Sequence, residues 1–368
     1  MTDNHSTLPK VAIVILNYNG MKNNYLEQFL PSVYNSIYDN LELYVIDNKS
    51  TDDSVAYLKT EGFENFFDQQ PQDRACPRYL IEMDENHWFA GGYNKGLEHV
   101  KADYYILLNS DVEVAPNWIQ PIIDMMEDDP QIAACQPKIR MHAEKYLFEH
   151  AGAAGGWIDK WGYPFCRGRV FTKVEEDKGQ YDDNQEVFWA TGAALFIRAE
   201  LFHNIGGFDE DYKAHMEEID LCWRLKRANY KVMVCPQSVV WHVGGGTLPQ
   251  HSPHKAFLNF RNSLSTIFKN EVGNRAYSIV LIRLLLDGVA GVRFLFNGEF
   301  ANIRAIVKAH WSFFGQYRLN KEKRKTTAAL VEKYCYEKPH FRTTGIYPNS
   351  VVWQHFVKGR QTFNDLDL

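Results

Sequence analysis

The chain has 368 residues, 45% hydrophobic and 23% charged, with a net charge of −6. That composition describes a globular protein large enough to bury a core without disulfides, and the acidic balance argues against a general nucleic-acid binder. The first ten residues (MTDNHSTLPK) lack the apolar run of a secretory signal, and the six cysteines show no C-x-x-C spacing, which together point to a cytoplasmic protein without a zinc knuckle.

Continuous apolar runs at residues 11–16 (VAIVIL), 41–47 (LELYVID), 78–83 (RYLIEM) and 104–108 (YYILL) predict four strands. Residues 24–38, 52–60 and 92–100 predict helices between them. Strands alternating with helices imply a parallel sheet covered on both faces. Three of these strands end in polar clusters: Asn17-Tyr18-Asn19, Asp47-Asn48 and Asn109-Ser110-Asp111. Ligands of open α/β sheets bind at the carboxyl ends of the strands, so the clusters point to one site.

Residues 140–186, rich in Gly, Trp and Tyr, predict loops or short strands. Residues 187–198 (VFWATGAALFIR) predict one buried strand interrupted by a Gly turn. Residues 217–229 predict a helix, and 230–235 and 239–241 two further strands. From about His254 the pattern is helical to the end, which places a boundary near residue 250. Residues 278–296 are apolar over nearly a membrane-spanning length but contain Arg283, Asp287 and Arg293. Each charge near a helix centre costs roughly 2.5–3.5 kcal/mol on insertion, so the stretch predicts a helix packed on the catalytic domain or an interfacial amphipathic helix. The run Lys321–Lys325 (KEKRK) is either a solvated helix face or a contact for anionic lipid.

Four constellations carry chemistry. Asp111, leaving the end of a buried strand, suits a hard divalent cation, although Asp also caps helices. His215-Met216-Glu217-Glu218-Ile219-Asp220 concentrates acids at a helix start, either as helix capping or as a general base. Glu217 and Glu218 diverge by about 100° on a helix, so one of them faces the site. His242, before Gly244, Gly245 and Gly246, offers an imidazole to a metal and a backbone that can approach phosphates. In the segment 86–94 (NHWFAGGYN), two glycines precede an early helical Asn, as at an anion-facing helix start. None of these matches G-x-G-x-x-G, which disfavours a dinucleotide fold.

In this order the motifs VAIVILNYNG, LYVIDNKSTDDS, ENHWFAGGYNKG, LLNSDVEV, WATGAALFIR, GGFDEDYKAHMEEIDLCWRLKRANY and VVWHVGGG resemble the family 2 glycosyltransferases, in particular the rhamnosyltransferase-like branch. The resemblance spans residues 11–246. It implies an α/β GT-A fold, a Rossmann-like mixed sheet in a catalytic domain of residues 1–250. The nucleotide half would cover about 10–113 and the acceptor half about 114–250. Residues 251–368 would form a helical C-terminal appendage with an open option of peripheral membrane contact at the inner face.

The implied activity is inverting transfer of a sugar from a dTDP- or UDP-sugar to an acceptor hydroxyl, with Mg²⁺ or Mn²⁺ as cofactor and a glycan or lipid-linked glycan of the cell surface as acceptor. Carried over residue by residue, Asn17, Tyr18, Asn19, Asp47 and Ser50 would line the nucleotide pocket. Gly92, Asn94 and Asn109 would approach the sugar diphosphate. Asp111 and His242 would bind the metal, and Trp189, Thr191 and Gly192 would shape the sugar or acceptor pocket. By position Glu218 is the base, with Glu217 beside it. Two departures from the family pattern are Asn109, in the first place of the D-x-D, and the Glu217-Glu218 pair, which in the family ends in Asp. The competing readings are a non-catalytic nucleotide-sugar or glycan binder on the same fold, and a metal-dependent phosphoesterase, for which clustered two-metal ligands are missing.

Overall fold

The computed structural model describes residues 8–68, 72, 75–244, 252–337 and 341–368. The N-terminal part runs β1 (Val11–Asn17), α1 (Tyr25–Tyr34), β2 (Leu41–Asp47), α2 (Ser54–Thr60), β3 (Glu64–Asn65), β4 (Arg78–Glu82), α3 (Trp88–Leu97), β5 (Tyr104–Asn109) and β6 (Val112–Val114). β1 lies between β2 and β5, all parallel, and β4 extends the sheet beyond β2. The strand runs are apolar without alternation because both faces are covered. Val11, Ile13 and Ile15 face the layer holding Leu26 and Leu30 of α1. Ala12 and Val14 face the opposite layer, with Tyr93 and Leu97 of α3.

The middle of the chain adds α4 (Gln120–Asp128), β7 (Ile132–Met141), β8 (Gly156–Asp159), β9 (Pro164–Cys166), β10 (Arg169–Val170), β11 (Lys173–Val174), β12 (Gln185–Val187), β13 (Ala194–Arg198), α5 (Ala199–Asn204), α6 (Glu217–Arg227) and β14 (Lys231–His242). The main sheet is mixed: β13 inserts antiparallel between β5 and β7, and β12 and β6 pair antiparallel with β14. Two expectations are corrected here. Residues 187–198 are not one strand. Val187 ends β12 at the sheet edge, whereas β13 sits centrally, and the intervening residues cross between them. Conversely, 230–235 and 239–241 belong to one strand, β14, whose register slips between Cys235 and Val239. Pro236, which has no N–H to give the ladder, lies in that slip and reads as the break.

The remaining elements are α7 (Pro253–Asn270), α8 (Arg275–Phe296), α9 (Phe300–Gly315), α10 (Tyr317–Lys333), β15 (Ile346–Tyr347) and α11 (Val351–Phe356). The chain does not stay helical to its end. β15 pairs parallel with β8 in a second, five-stranded sheet, and Phe363 packs against Trp157, Phe165 and Tyr181. Gly345 permits this return: its φ is +86°, and a Cβ there would stand 2.3 Å from the Phe188 backbone.

α8 docks through its charges. The Arg283 guanidinium lies 3.7 Å from the Tyr163 ring centroid and donates to the Trp161 and Gly162 carbonyls. Asp287 contacts the Tyr163 hydroxyl and His310. Among the described residues no helix is long and apolar enough to cross a membrane.

Candidate active site

The ends of β1 and β2 are in register, Asn17 opposite Asp47, and both residues are buried. Asn17 Nδ2 donates to Asp47 Oδ1 at 2.8 Å and to Ser50 Oγ at 3.1 Å. Ser50 donates its hydroxyl and its backbone N–H to the two Asp47 oxygens and accepts from Asn19 N. Asn19 takes a left-handed φ of 56°, which Asn tolerates, and its Oδ1 accepts from Thr51 N. The loops are thereby fixed to each other, while Tyr18 stays exposed above them and Asn17 Oδ1 is buried without a partner. A rigid polar floor with one open aromatic suits a nucleotide base and ribose. Gly92 lets α3 close on this floor, since a Cβ there would meet Leu16 at 2.7 Å and Asn48 at 3.2 Å.

Asp111 follows the end of β5 in the turn into β6. His242 ends β14 opposite Val112, and Val243 N donates to Asp111 O. This pairing sets His242 Nε2 3.2 Å from Asp111 Oδ1. On the other side of the ring, Nδ1 lies 3.4 Å from Glu149 Oε2, near enough for an ion pair but off line for a hydrogen bond. Burial alone would keep this imidazole neutral. Asp111 and Glu149 overcome that effect and raise its pKa to about 10.

Among the described residues no group of three or more His, Cys, Asp or Glu converges on one point. The reason is geometric: Glu149 stands behind the ring. An ion would displace the imidazolium proton, and the protein would then offer it one carboxylate oxygen and one imidazole nitrogen and leave the other positions open. That fits Mg²⁺ or Mn²⁺, which keep waters or take phosphate oxygens. Besides His242, the cations Arg169 and Lys255 lie near Glu149. Burial lowers the pKa of each, their mutual repulsion lowers that of Lys255 further, and Glu149 opposes both shifts. Gly245 and Gly246 lie outside the described residues.

The acids at the start of α6 divide by role. Asp220 is structural, bound by Arg224, Lys269 and Asn270. Glu217 is buried and Glu218 half-buried, and one oxygen of each, Oε2, lacks a hydrogen-bond partner. Burial raises the pKa of Glu218 to about 7. Burial and then the charge of Glu218 raise that of Glu217 as well, so the two carboxyls share their titration. A Cβ at Gly192 would lie 3.8 Å from Glu218 Cβ, and Asn109 N donates to Ala193 O at 3.0 Å. Glu218 thus lies beside Gly192, whose neighbour Ala193 pairs with Asn109 two residues before Asp111. Asn109 itself is half-buried.

The segment before α6 is strained, with positive φ at Lys213, His215 and Met216. Such residues persist where their surroundings over-determine them. α7 supplies the constraint: Asn262 Nδ2 lies within hydrogen-bonding distance of the carbonyls of Tyr212, Ala214 and His215, at 3.1, 2.9 and 2.7 Å. Arg261 donates to those of Asp211 and Tyr212. Asn94, expected at the sugar diphosphate, spends its amide on both backbone groups of Phe208 and on Glu210, and so anchors the same segment from α3. Asn262→Ala is expected to lower unfolding free energy by on the order of 2–4 kcal/mol, read by urea titration, and to reduce turnover. An unchanged midpoint with unchanged turnover would refute this anchoring.

Trp189 and Thr191 form the wall behind Gly192. Trp189 donates its indole N–H to Trp157 O and packs on Gly156; Thr191 N donates to Gln136 Oε1. Both are buried, whereas Gly192 is half-buried beside Glu218, where a Cβ would also meet the Phe89 ring at 3.4 Å. Sequence reasoning missed Glu149, Asn262 and Tyr25. Burial raises the Tyr25 pKa and the nearby Asp111 charge raises it further, which places Tyr25 near the site.

The family model for Glycosyl transferase family 2 matches residues 12–206. The chain is 22% identical over 303 residues to the low-salt glycan biosynthesis hexosyltransferase Agl10 of Haloferax volcanii, covering 79% of this chain and 86% of that one. It is 26% identical over 233 residues to the N-acetylglucosaminyl-diphospho-decaprenol L-rhamnosyltransferase of Mycobacterium tuberculosis, covering 59% and 71%. The crystal structure of GalNAc-T7 with UDP, GalNAc and Mn²⁺ shares the fold at TM-score 0.51 and 15% identity, over 72% of this chain and 48% of that one.

Proposed function

The chain belongs to glycosyl transferase family 2 and is a nucleotide-sugar glycosyltransferase, and from that premise we propose that it transfers a hexose, with inversion, from a dTDP- or UDP-sugar to a hydroxyl of a lipid-linked cell-surface glycan. The rhamnosyltransferase relative favours dTDP-rhamnose as donor. The carrying observation is that Asp111 and His242 meet directly, 3.2 Å apart, while Glu218 lies beside Gly192, next to the residue that pairs with Asn109. A protein that only held a nucleotide sugar would have no need of a half-buried carboxyl with a pKa near neutrality in this position.

In this reading Asn17, Asp47, Ser50 and Tyr18 hold the nucleotide, and Arg169 and Lys255 add positive charge for its diphosphate. Asp111 and His242 would hold Mg²⁺ or Mn²⁺, which supplies charge neutralisation for the departing diphosphate. The acceptor oxygen attacks the anomeric carbon as the bond to the diphosphate oxygen breaks. Glu218 takes the hydroxyl proton, and the nucleoside diphosphate leaves with the bonding electron pair. The half-buried setting of Glu218 limits competing attack by water.

A panel of nucleotide sugars, scanned for thermal stabilisation with and without Mn²⁺, tests the reading. The true donor at 100-fold over its Kd adds about 2.7 kcal/mol to the folded state, and turnover then releases nucleoside diphosphate. Failure of every dTDP- and UDP-sugar to stabilise the protein with Mn²⁺ would overturn the donor assignment.

A further inference from the structure

We propose that the α8–α9 hairpin is a docking surface for an anionic lipid bilayer, lying on it rather than crossing it. α8 carries apolar residues on both faces. Its buried face holds Arg283 and Asp287 beside Ala276, Ile279 and Val280, while Leu281, Leu285, Val289 and Phe296 lie on the opposite face within an arc of about 80°. That outer face is open: Leu285 is 66%, Val289 64% and Phe296 85% exposed. α9 continues it with Phe300 and with Trp311, 75% exposed. A contiguous apolar face of this kind marks a surface that something covers.

The charges identify the cover. Between residues 272 and 321 the exposed charged residues are Arg275, Arg293, Arg304, Lys308, Arg318 and Lys321, all cationic. The two acids of that stretch, Asp287 and Glu299, are buried and half-buried. The whole chain, by contrast, has a net charge of −6. Apolar side chains flanked by cations alone match acyl chains beneath anionic headgroups. A second copy of this chain would set cation against cation across the same face. The short turn between α8 and α9 puts Phe296 and Phe300 together at the tip. α7 ties the hairpin to the segment that positions Glu218, so docking would hold the site close to a lipid-borne acceptor. The docking surface itself does not depend on the identity of the donor sugar.

Sedimentation of the full-length protein with vesicles tests the proposal. Binding is expected to phosphatidylcholine vesicles containing phosphatidylglycerol, to weaken as salt rises, and to be far weaker with phosphatidylcholine alone. Leu285→Glu combined with Phe296→Glu is expected to reduce binding by about tenfold or more, and Arg304→Glu with Lys308→Glu by a similar factor. All four positions are exposed, so the melting temperature and the turnover of a water-soluble acceptor should hold. Wild-type protein that ignores both vesicle types would overturn the proposal. So would a dimer, seen by light scattering, that Leu285→Glu dissociates.

Discussion

Glu218→Gln is expected to reduce turnover by about 10²–10⁴-fold while donor affinity stays within a few-fold of wild type. Gln preserves the size of the side chain but accepts no proton. The deficit should therefore appear in kcat and not in nucleotide binding measured by calorimetry. The wild-type rate should carry its own signature. Burial raises the Glu218 pKa to about 7, so the base is lost as pH falls through neutrality, and kcat should rise with pH across that region. With Glu218 as the base, Glu217→Gln should retain turnover within about tenfold and the same rising limb. Near-normal turnover in Glu218→Gln, or loss of the limb in Glu217→Gln alone, would move the base to the other residue.

The sheet was legible wherever burial on both faces leaves a continuous apolar run, as in β1, β2 and β5. Their ends were legible for the same reason, since polar clusters stand out against such runs. Central order was not. β13 and β12 form one apolar stretch in sequence, and only strand pairing separates them. Asp111 and His242 were each visible as weak single signals. What makes them a site is the pairing of β6 with β14, a contact between distant segments that periodicity does not encode.

Glu149 lies in an irregular segment with no motif, and its meaning comes solely from standing behind the His242 ring. Asn262 and Arg261 sit on a helix whose pattern looks like an appendage, yet they grip the segment that aims Glu218. Asn94 shows the opposite case: its position in a family-like motif implies ligand contact, while its amide is engaged with Phe208. The C-terminal return, with Tyr347 and Phe363 buried beside Trp157 and Phe165, has too few residues per element for any period to show.

Asp111→Asn is expected to abolish the metal dependence of nucleoside diphosphate binding, a loss on the order of 10²-fold in affinity at saturating Mn²⁺. The protein would supply few ligands. With Asn at 109 in place of the first acid of the D-x-D, Asp111 would be the one anionic ligand of the pair, and His242 the other. An amide at 111 keeps the shape and one carbonyl oxygen but removes the charge that favours a hard dication. Calorimetry with and without Mn²⁺ isolates this effect: wild type should gain affinity with the ion, and the variant should bind equally weakly in both conditions.

Glu149→Gln separates ligation from orientation. Glu149 contacts only the far side of the imidazole, so its loss should weaken the ion by about 10–100-fold without eliminating its effect. A graded series, wild type over Glu149→Gln over Asp111→Asn, is what a single ion held by Asp111 and His242 requires. Retention of full Mn²⁺-dependent affinity by Asp111→Asn would place the ion elsewhere and remove the chemical basis for pairing these two residues.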